Sequence, residues 1–207
     1  KVDKDESTVN LPNVEFTIQA LTGEQAGKYV SVDNGIAVYQ EERVTVRTNA
    51  EGIIEIDNLW LGNYEITEVS NPNYGYVVDG TPHTVTINKR VETTYEFENE
   101  YRLGSLEIEK VDKDNNSTKL ANVEFTIRAL TGEKQGQYVY LNDDGTAGYS
   151  NTQVTVKTDT NGRIEIDQVW VGNYEITEVN NPNYGYVLDG TPQTVTVSKR
   201  ATATYTM

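Results

Sequence analysis

Apolar and polar residues alternate with a period of two along most of this chain, and the alternation predicts strands. Val14, Phe16 and Ile18 alternate with Glu15, Thr17 and Gln19, and Val44 and Val46 flank Thr45. Ile54 and Ile56 alternate with Glu55 and Asp57, and Tyr64 and Ile66 with Glu65 and Thr67. Val85 and Ile87 alternate with threonines, and Tyr95 and Phe97 with Thr94, Glu96 and Glu98. Each segment reads as a strand with one buried and one wet face. Between them lie turn sequences that end in glycine: Thr48-Asn49-Ala50-Glu51-Gly52, Thr158-Asp159-Thr160-Asn161-Gly162 and Asp33-Asn34-Gly35. No long amphipathic helix is visible, and residues 21–27 hold a helical turn at most. About seven short strands in about 100 residues predict an antiparallel sandwich.

The pattern occurs twice. Asn13-Val14-Glu15-Phe16-Thr17-Ile18 returns as Asn122-Val123-Glu124-Phe125-Thr126-Ile127. Gly62-Asn63-Tyr64-Glu65-Ile66-Thr67-Glu68-Val69 returns as Gly172-Asn173-Tyr174-Glu175-Ile176-Thr177-Glu178-Val179. Asn71-Pro72-Asn73-Tyr74-Gly75-Tyr76 returns as Asn181-Pro182-Asn183-Tyr184-Gly185-Tyr186. A solenoid repeat runs roughly 20 to 50 residues, and this one is longer. It matches an autonomous domain of about 100–150 residues. Two tandem domains are expected, residues 1–101 and 102–207, the second without the end of its last strand. Only Tyr101-Arg102-Leu103-Gly104 separate the last strand of one from the first strand of the next.

Composition narrows the function classes. The chain has 207 residues, no cysteine and a formal charge of −15. Disulfides and cysteine-based metal sites are excluded, and the acidic balance argues against nucleic acid or anionic membranes as partners. No run of 18 or more apolar residues suggests a membrane span. No secretory signal opens the chain, so the sequence reads as a mature segment or an excised piece.

A lysine, a glutamate in each copy and an asparagine continue core-facing series. Side chains at i, i+2 and i+4 of a strand share a face. Lys110 follows Leu106 and Ile108, and Glu68 follows Tyr64 and Ile66. Glu178 follows Tyr174 and Ile176, and Asn99 follows Tyr95 and Phe97. Burying an amide unpaired costs roughly 2–7 kcal/mol, so these groups should meet one another. Their meeting allows chemistry. A desolvated lysine shifts toward its neutral, nucleophilic form, and a desolvated glutamate toward its protonated one. The asparagine carbonyl is the electrophile, and loss of ammonia leaves an amide between two side chains. On parity alone, the same groups read equally well as a salt bridge with a hydrogen-bonded amide at the rim of the core.

The openings Lys1-Val2-Asp3 … Leu11-Pro12-Asn13-Val14-Glu15-Phe16 and Lys110-Val111-Asp112 … Leu120-Ala121-Asn122-Val123-Glu124-Phe125 resemble the start of a Cna B-type domain. The block from Leu59 through Glu68 to Asn71-Pro72-Asn73-Tyr74-Gly75-Tyr76 is similar to that family's glycine–tyrosine strand, glutamate and Gly-Tyr loop. Phe97-Glu98-Asn99 resembles its closing strand. The resemblance implies an all-β protein of two tandem transthyretin-like (reverse immunoglobulin) antiparallel β-sandwich domains. It further implies mechanically stable stalk repeats in a wall-attached adhesin or pilin on the surface of a Gram-positive bacterium. An intramolecular Lys–Asn isopeptide bond joins first and last strands in that family. Carried over, Lys1 and Asn99 form the bond, with Glu68 as the promoting acid. In the second copy Lys110 and Glu178 match, and the partner of Lys110 falls beyond Met207. This is one self-modification per domain, not enzymatic turnover. No cofactor or metal is expected. The expected partners are neighbouring repeats of the same protein. The alternative is an adhesive module that contacts a host extracellular-matrix protein or glycan directly.

Other features carry less. Asp112-Lys113-Asp114-Asn115-Asn116 lacks the glycine and terminal glutamate of a calcium loop and reads as an Asx-rich turn. Trp60 and Trp170, beside glycine turns, read as packing residues. His83 aligns with Gln193, which argues against a catalytic role. No Ser/His/Asp set or phosphate loop is present.

Overall fold

The computed structural model describes all 207 residues. The chain forms two compact units, residues 1–101 and 102–207. The first contains β1 (Val2–Asp3), β2 (Glu15–Ala20), β3 (Tyr29–Asp33), β4 (Ile36–Gln40), β5 (Val46–Arg47), β6 (Gly62–Ser70), β7 (His83–Ile87) and β8 (Glu98–Asn99). The second contains β9 (Leu103–Glu109), β10 (Glu124–Ala129), β11 (Tyr138–Leu141), β12 (Ala147–Ser150), β13 (Val156–Lys157), β14 (Arg163–Trp170), β15 (Gly172–Asn180), β16 (Gln193–Val197) and β17 (Thr202–Thr206). No helix is present.

Each unit has a large antiparallel sheet, in the order β4-β3-β2-β6-β7 and β12-β11-β10-β15-β16, with β5 and β13 added to β2 and β10. Facing it in the second unit is a three-stranded sheet, β14-β9-β17. Inward residues of the two sheets fill the core: Leu106, Ile108, Ile164 and Ile166 from one, Phe125, Ile127, Tyr174 and Ile176 from the other. First and last strands of each unit pair in parallel, β1 with β8 and β9 with β17. The remaining ladders are antiparallel.

The first unit departs from the alternation. Ile54 and Ile56 lie outside any strand, as do Tyr95 and Phe97, although the matching Ile164, Ile166 and Tyr205 lie in β14 and β17. The cause is the missing middle strand. In the second unit β9 lies between β14 and β17 and satisfies the backbone groups of both. The first unit has no strand laid between residues 54–56 and 95–97. Ile54, Ile56 and Phe97 still pack on its core. The second unit also starts its strand at Leu103, ahead of the expected opening at Ser105.

Local rules place the turns. Asn34 and Gly35 both have positive φ and close the β3–β4 hairpin. Gly52 has φ +73°, and a Cβ there would lie 2.6 Å from the Lys1 carbonyl oxygen. Only glycine lets this turn press on the first strand. Gly162 does the same against Lys110, at 2.8 Å.

Candidate functional site

Backbone bonds fix the position of Lys1. Its amino terminus donates to Gly52 O at 2.6 Å, and its carbonyl accepts from Leu11 N at 3.0 Å. Val2 N donates to Phe97 O and Lys4 N to Asn99 O, which docks β1 along β8. Asn99 sits opposite Asp3 in this ladder. Glu68 comes from β6, opposite Phe16, where the β2–β6 register shifts between Glu15 and Phe16. Such bulges re-aim side chains.

The three side chains meet inside the unit. Lys1 Nζ donates to Glu68 Oε2 at 2.8 Å, and Asn99 Nδ2 donates to the same oxygen at 3.0 Å. Glu68 is 1 % exposed, Asn99 2 %, and the Lys1 side chain 1 %. Glu68 Oε1 is buried without a hydrogen-bond partner. The rings of Phe16 and Phe97, 5.0 Å apart, lie 5.8 and 5.9 Å from Lys1 Nζ. Burial pushes the Lys1 amine below its ordinary value of 10.5, against the opposing pull of its hydrogen bond to Glu68. The arrangement holds a desolvated amine and a primary amide on one carboxylate oxygen.

The second unit repeats the amine and the acid. Lys110 Nζ lies 3.0 Å from Glu178 Oε2, and Glu178 faces Phe125 beside the equivalent register shift. Lys110 N donates to Gly162 O at 2.8 Å, as the Lys1 nitrogen does to Gly52. Among residues 102–207 none matches Asn99.

Sequence reasoning missed several residues around this site. Asn71 Nδ2 donates to Asn99 Oδ1 at 2.6 Å. Asn71 Oδ1 in turn accepts from Asn73 N and Asn73 Nδ2, and Asn73 Nδ2 also reaches Pro12 O. The twice-written Asn-Pro-Asn was the available signal. Asp3 is fully buried and accepts from the Tyr76 hydroxyl at 2.7 Å and from Asp5 N and Glu6 N. Asp112 repeats this with Tyr186, Asp114 N and Asn115 N, so residues 112–116 form an Asx turn. Thr48 accepts from Val14 N and donates to Leu11 O in the core, and Thr158 does the same with Val123 and Leu120.

The other candidates lie apart from the triad. His83 bonds the Tyr95 hydroxyl through Nδ1 at 2.8 Å. Trp170 is buried at the end of β14, whereas Trp60 is exposed. Tyr74 and Tyr184 point outward from their loops, while Tyr76 and Tyr186 turn in toward the aspartates.

No curated protein matches the chain in sequence. Solved structures similar in fold include the Bacillus anthracis TIE protein, at 24 % identity and TM-score 0.42, covering 100 % of this chain and 32 % of that one. A streptococcal ancillary pilin is 25 % identical with TM-score 0.48, over 98 % of this chain and 60 % of its own. The chain thus spans less than two thirds of either protein. A shaft pilin spaA mutant from Lactobacillus rhamnosus GG is 16 % identical with TM-score 0.45, over 94 % and 92 %. The family described as SpaA, prealbumin-like fold domain, matches residues 1–101 and again residues 104–207. With nearly every residue inside one copy or the other, this chain belongs to the SpaA prealbumin-like fold family as two tandem, all-β domains.

Proposed function

We propose that this chain supplies structural stalk modules of a Gram-positive surface adhesin or pilin, and that its first unit closes a covalent bond between Lys1 and Asn99. One observation carries the chemistry: Glu68 Oε2 holds both the attacking nitrogen and the leaving nitrogen, at 2.8 and 3.0 Å, out of water. The Lys1 proton passes to Glu68 along the first of these hydrogen bonds. The neutral amine attacks Asn99 Cγ, and the carbonyl oxygen takes up the electron pair. Glu68 gives its proton to Nδ2, which leaves as ammonia, and accepts a second proton from Nζ. The products are a secondary amide, ammonia and protonated Glu68. An amide is a poor electrophile, and fixed proximity supplies about 7–11 kcal/mol of the barrier. Proton transfer by Glu68 adds about 10²–10⁴ in rate.

The tie closes a loop of almost the whole unit. By analogy with a disulfide spanning about 100 residues, it contributes roughly 4–5 kcal/mol. An amide also ignores redox conditions, which suits a chain without cysteine. Intact-mass spectrometry tests the reading. The chain should weigh one ammonia less than its sequence, and Glu68→Ala should restore the full mass. A full mass for the unaltered chain overturns the mechanism.

The reading as an adhesive module for a host matrix protein or glycan is favoured by one observation. The corresponding loops expose Tyr74 and Val78 in the first unit and Tyr184, Val187 and Leu188 in the second. Exposed apolar groups that recur in both copies are what a contact surface requires.

A further inference from the structure

We infer that Asn71 is a catalytic residue of the first unit, whose side-chain amide acts as the oxyanion donor when Lys1 attacks Asn99. The inference rests on the isopeptide reading above and adds a group that reading does not contain. In that reaction the Asn99 carbonyl oxygen turns from a neutral acceptor into an alkoxide. In the resting geometry neither Glu68 oxygen contacts Asn99 Oδ1: Oε2 faces the two nitrogens, and Oε1 makes no hydrogen bond. A buried alkoxide without a donor is costly, so the site requires one aimed at Oδ1. Asn71 Nδ2 occupies that place, 2.6 Å from Asn99 Oδ1.

The donor is also preorganised. An amide side chain can present either its oxygen or its nitrogen, and a donor is useful only if it cannot turn over. Asn71 Oδ1 is engaged by Asn73 N at 2.9 Å and Asn73 Nδ2 at 2.8 Å. Asn73 is in turn fixed to Pro12 O at 2.9 Å. Two donors on Oδ1 leave Nδ2 facing Asn99. Pro72 between the two asparagines restricts the backbone of the turn.

The turn itself is built through Oδ1. In the second unit Asn181 Oδ1 accepts from Asn183 N at 3.1 Å and from Asn183 Nδ2 at 2.9 Å, and Asn183 Nδ2 reaches Ala121 O at 2.9 Å. The same scaffold therefore forms around Asn181 from Oδ1 contacts. The Nδ2 contact to Asn99 is a separate function of the residue, and substitution can separate the two. Asn71→Asp keeps an oxygen for Asn73 and removes the donor. Asn71→Ala removes both.

The test is a time course of cell-free synthesis of the whole chain. Aliquots are quenched in acidic denaturant, and the fraction lacking one ammonia is read by intact mass. Removing one oxyanion donor slows acyl chemistry by about 10²–10³, and both Asn71 variants should crosslink more slowly by about that factor. A Glu68→Ala background, which does not crosslink, reads folding separately. There Asn71→Asp, which loses one hydrogen bond and keeps the Asn73 scaffold, should still unfold cooperatively in the first unit. Crosslinking of either Asn71 variant at the parent rate overturns the inference and leaves the isopeptide reading standing. So does slow crosslinking of Asn71→Asp together with loss of cooperative unfolding in the Glu68→Ala background, which marks a structural role. A parent chain that never loses ammonia overturns the underlying reading itself.

Discussion

Truncating Glu178 to alanine should destabilise the second unit by about 3–5 kcal/mol, because it strands a buried ammonium. Glu178 is 1 % exposed, and its Oε2 lies 3.0 Å from Lys110 Nζ, whose side chain is 11 % exposed. Only a small part of the Lys110 side chain reaches solvent that could replace the lost carboxylate. The loss is a large share of a domain stability of about 5–15 kcal/mol. Removing both charges reverses the argument: Lys110→Met with Glu178→Leu keeps the volume apolar and should be neutral or stabilising by about 1–4 kcal/mol. Urea unfolding provides the assay. The chain has two tryptophans, so Trp60→Phe leaves the buried Trp170 as the sole indole reporter of the second unit. With a slope of about 1–3 kcal/mol per molar urea, Glu178→Ala should lower the midpoint by about 1 M or more. An exposed ion pair is worth about 0–1 kcal/mol and would shift it far less. A shift below about 0.3 M in that assay, or a double variant as weak as Glu178→Ala, would refute the reasoning.

Two further outcomes are expected. Thr158→Val keeps the side-chain shape and leaves Val123 N and Leu120 O unpaired in the core, which should cost about 1–3 kcal/mol in the same urea assay; an unchanged midpoint would count against the bridge. The backbone N–H of Asp114, with the Tyr186 hydroxyl, holds the Asp112 carboxyl below its ordinary value of 3.8. The stability this gives is complete above pH 3.8 and lost as pH falls through the lower folded value. Asp112→Asn should therefore flatten the acid limb of the midpoint-versus-pH curve, and an unaltered limb would show that Asp112 does not shape it.

The inward placement of Glu68 and of Lys110 was legible because strand parity is a strong rule, whereas Lys1 was placed by the resemblance alone. Lys110 follows Leu106 and Ile108 inward, and Glu68 follows Tyr64 and Ile66, as alternation requires. Asn99 reached the same point by a different route. Tyr95 and Phe97 lie outside any strand, and Asn99 is turned inward by its own short ladder with β1. Asn71 was illegible because it lies beyond the end of β6, in a turn where parity has no meaning. Asp3 was missed for a related reason. Val2 and Asp3 are adjacent yet both buried, so the strand has no wet face to betray its polarity. The missing strands around Ile54 and Tyr95 show the limit of local pattern. Alternation marks a segment that suits a ladder, but a ladder needs a neighbour, and the first unit has no strand between these two segments.

The parallel pairing of first and last strands decides how each unit can be pulled apart. Opposed forces at the start of β9 and the end of β17 slide the two strands lengthwise. All five register pairs from Ser105–Thr202 to Glu109–Thr206 then bear load at once, where an antiparallel hairpin drawn from its open end would unzip rung by rung. The first unit has only two such rungs, Val2–Glu98 and Asp3–Asn99, and Lys1 and Asn99 stand at that seam.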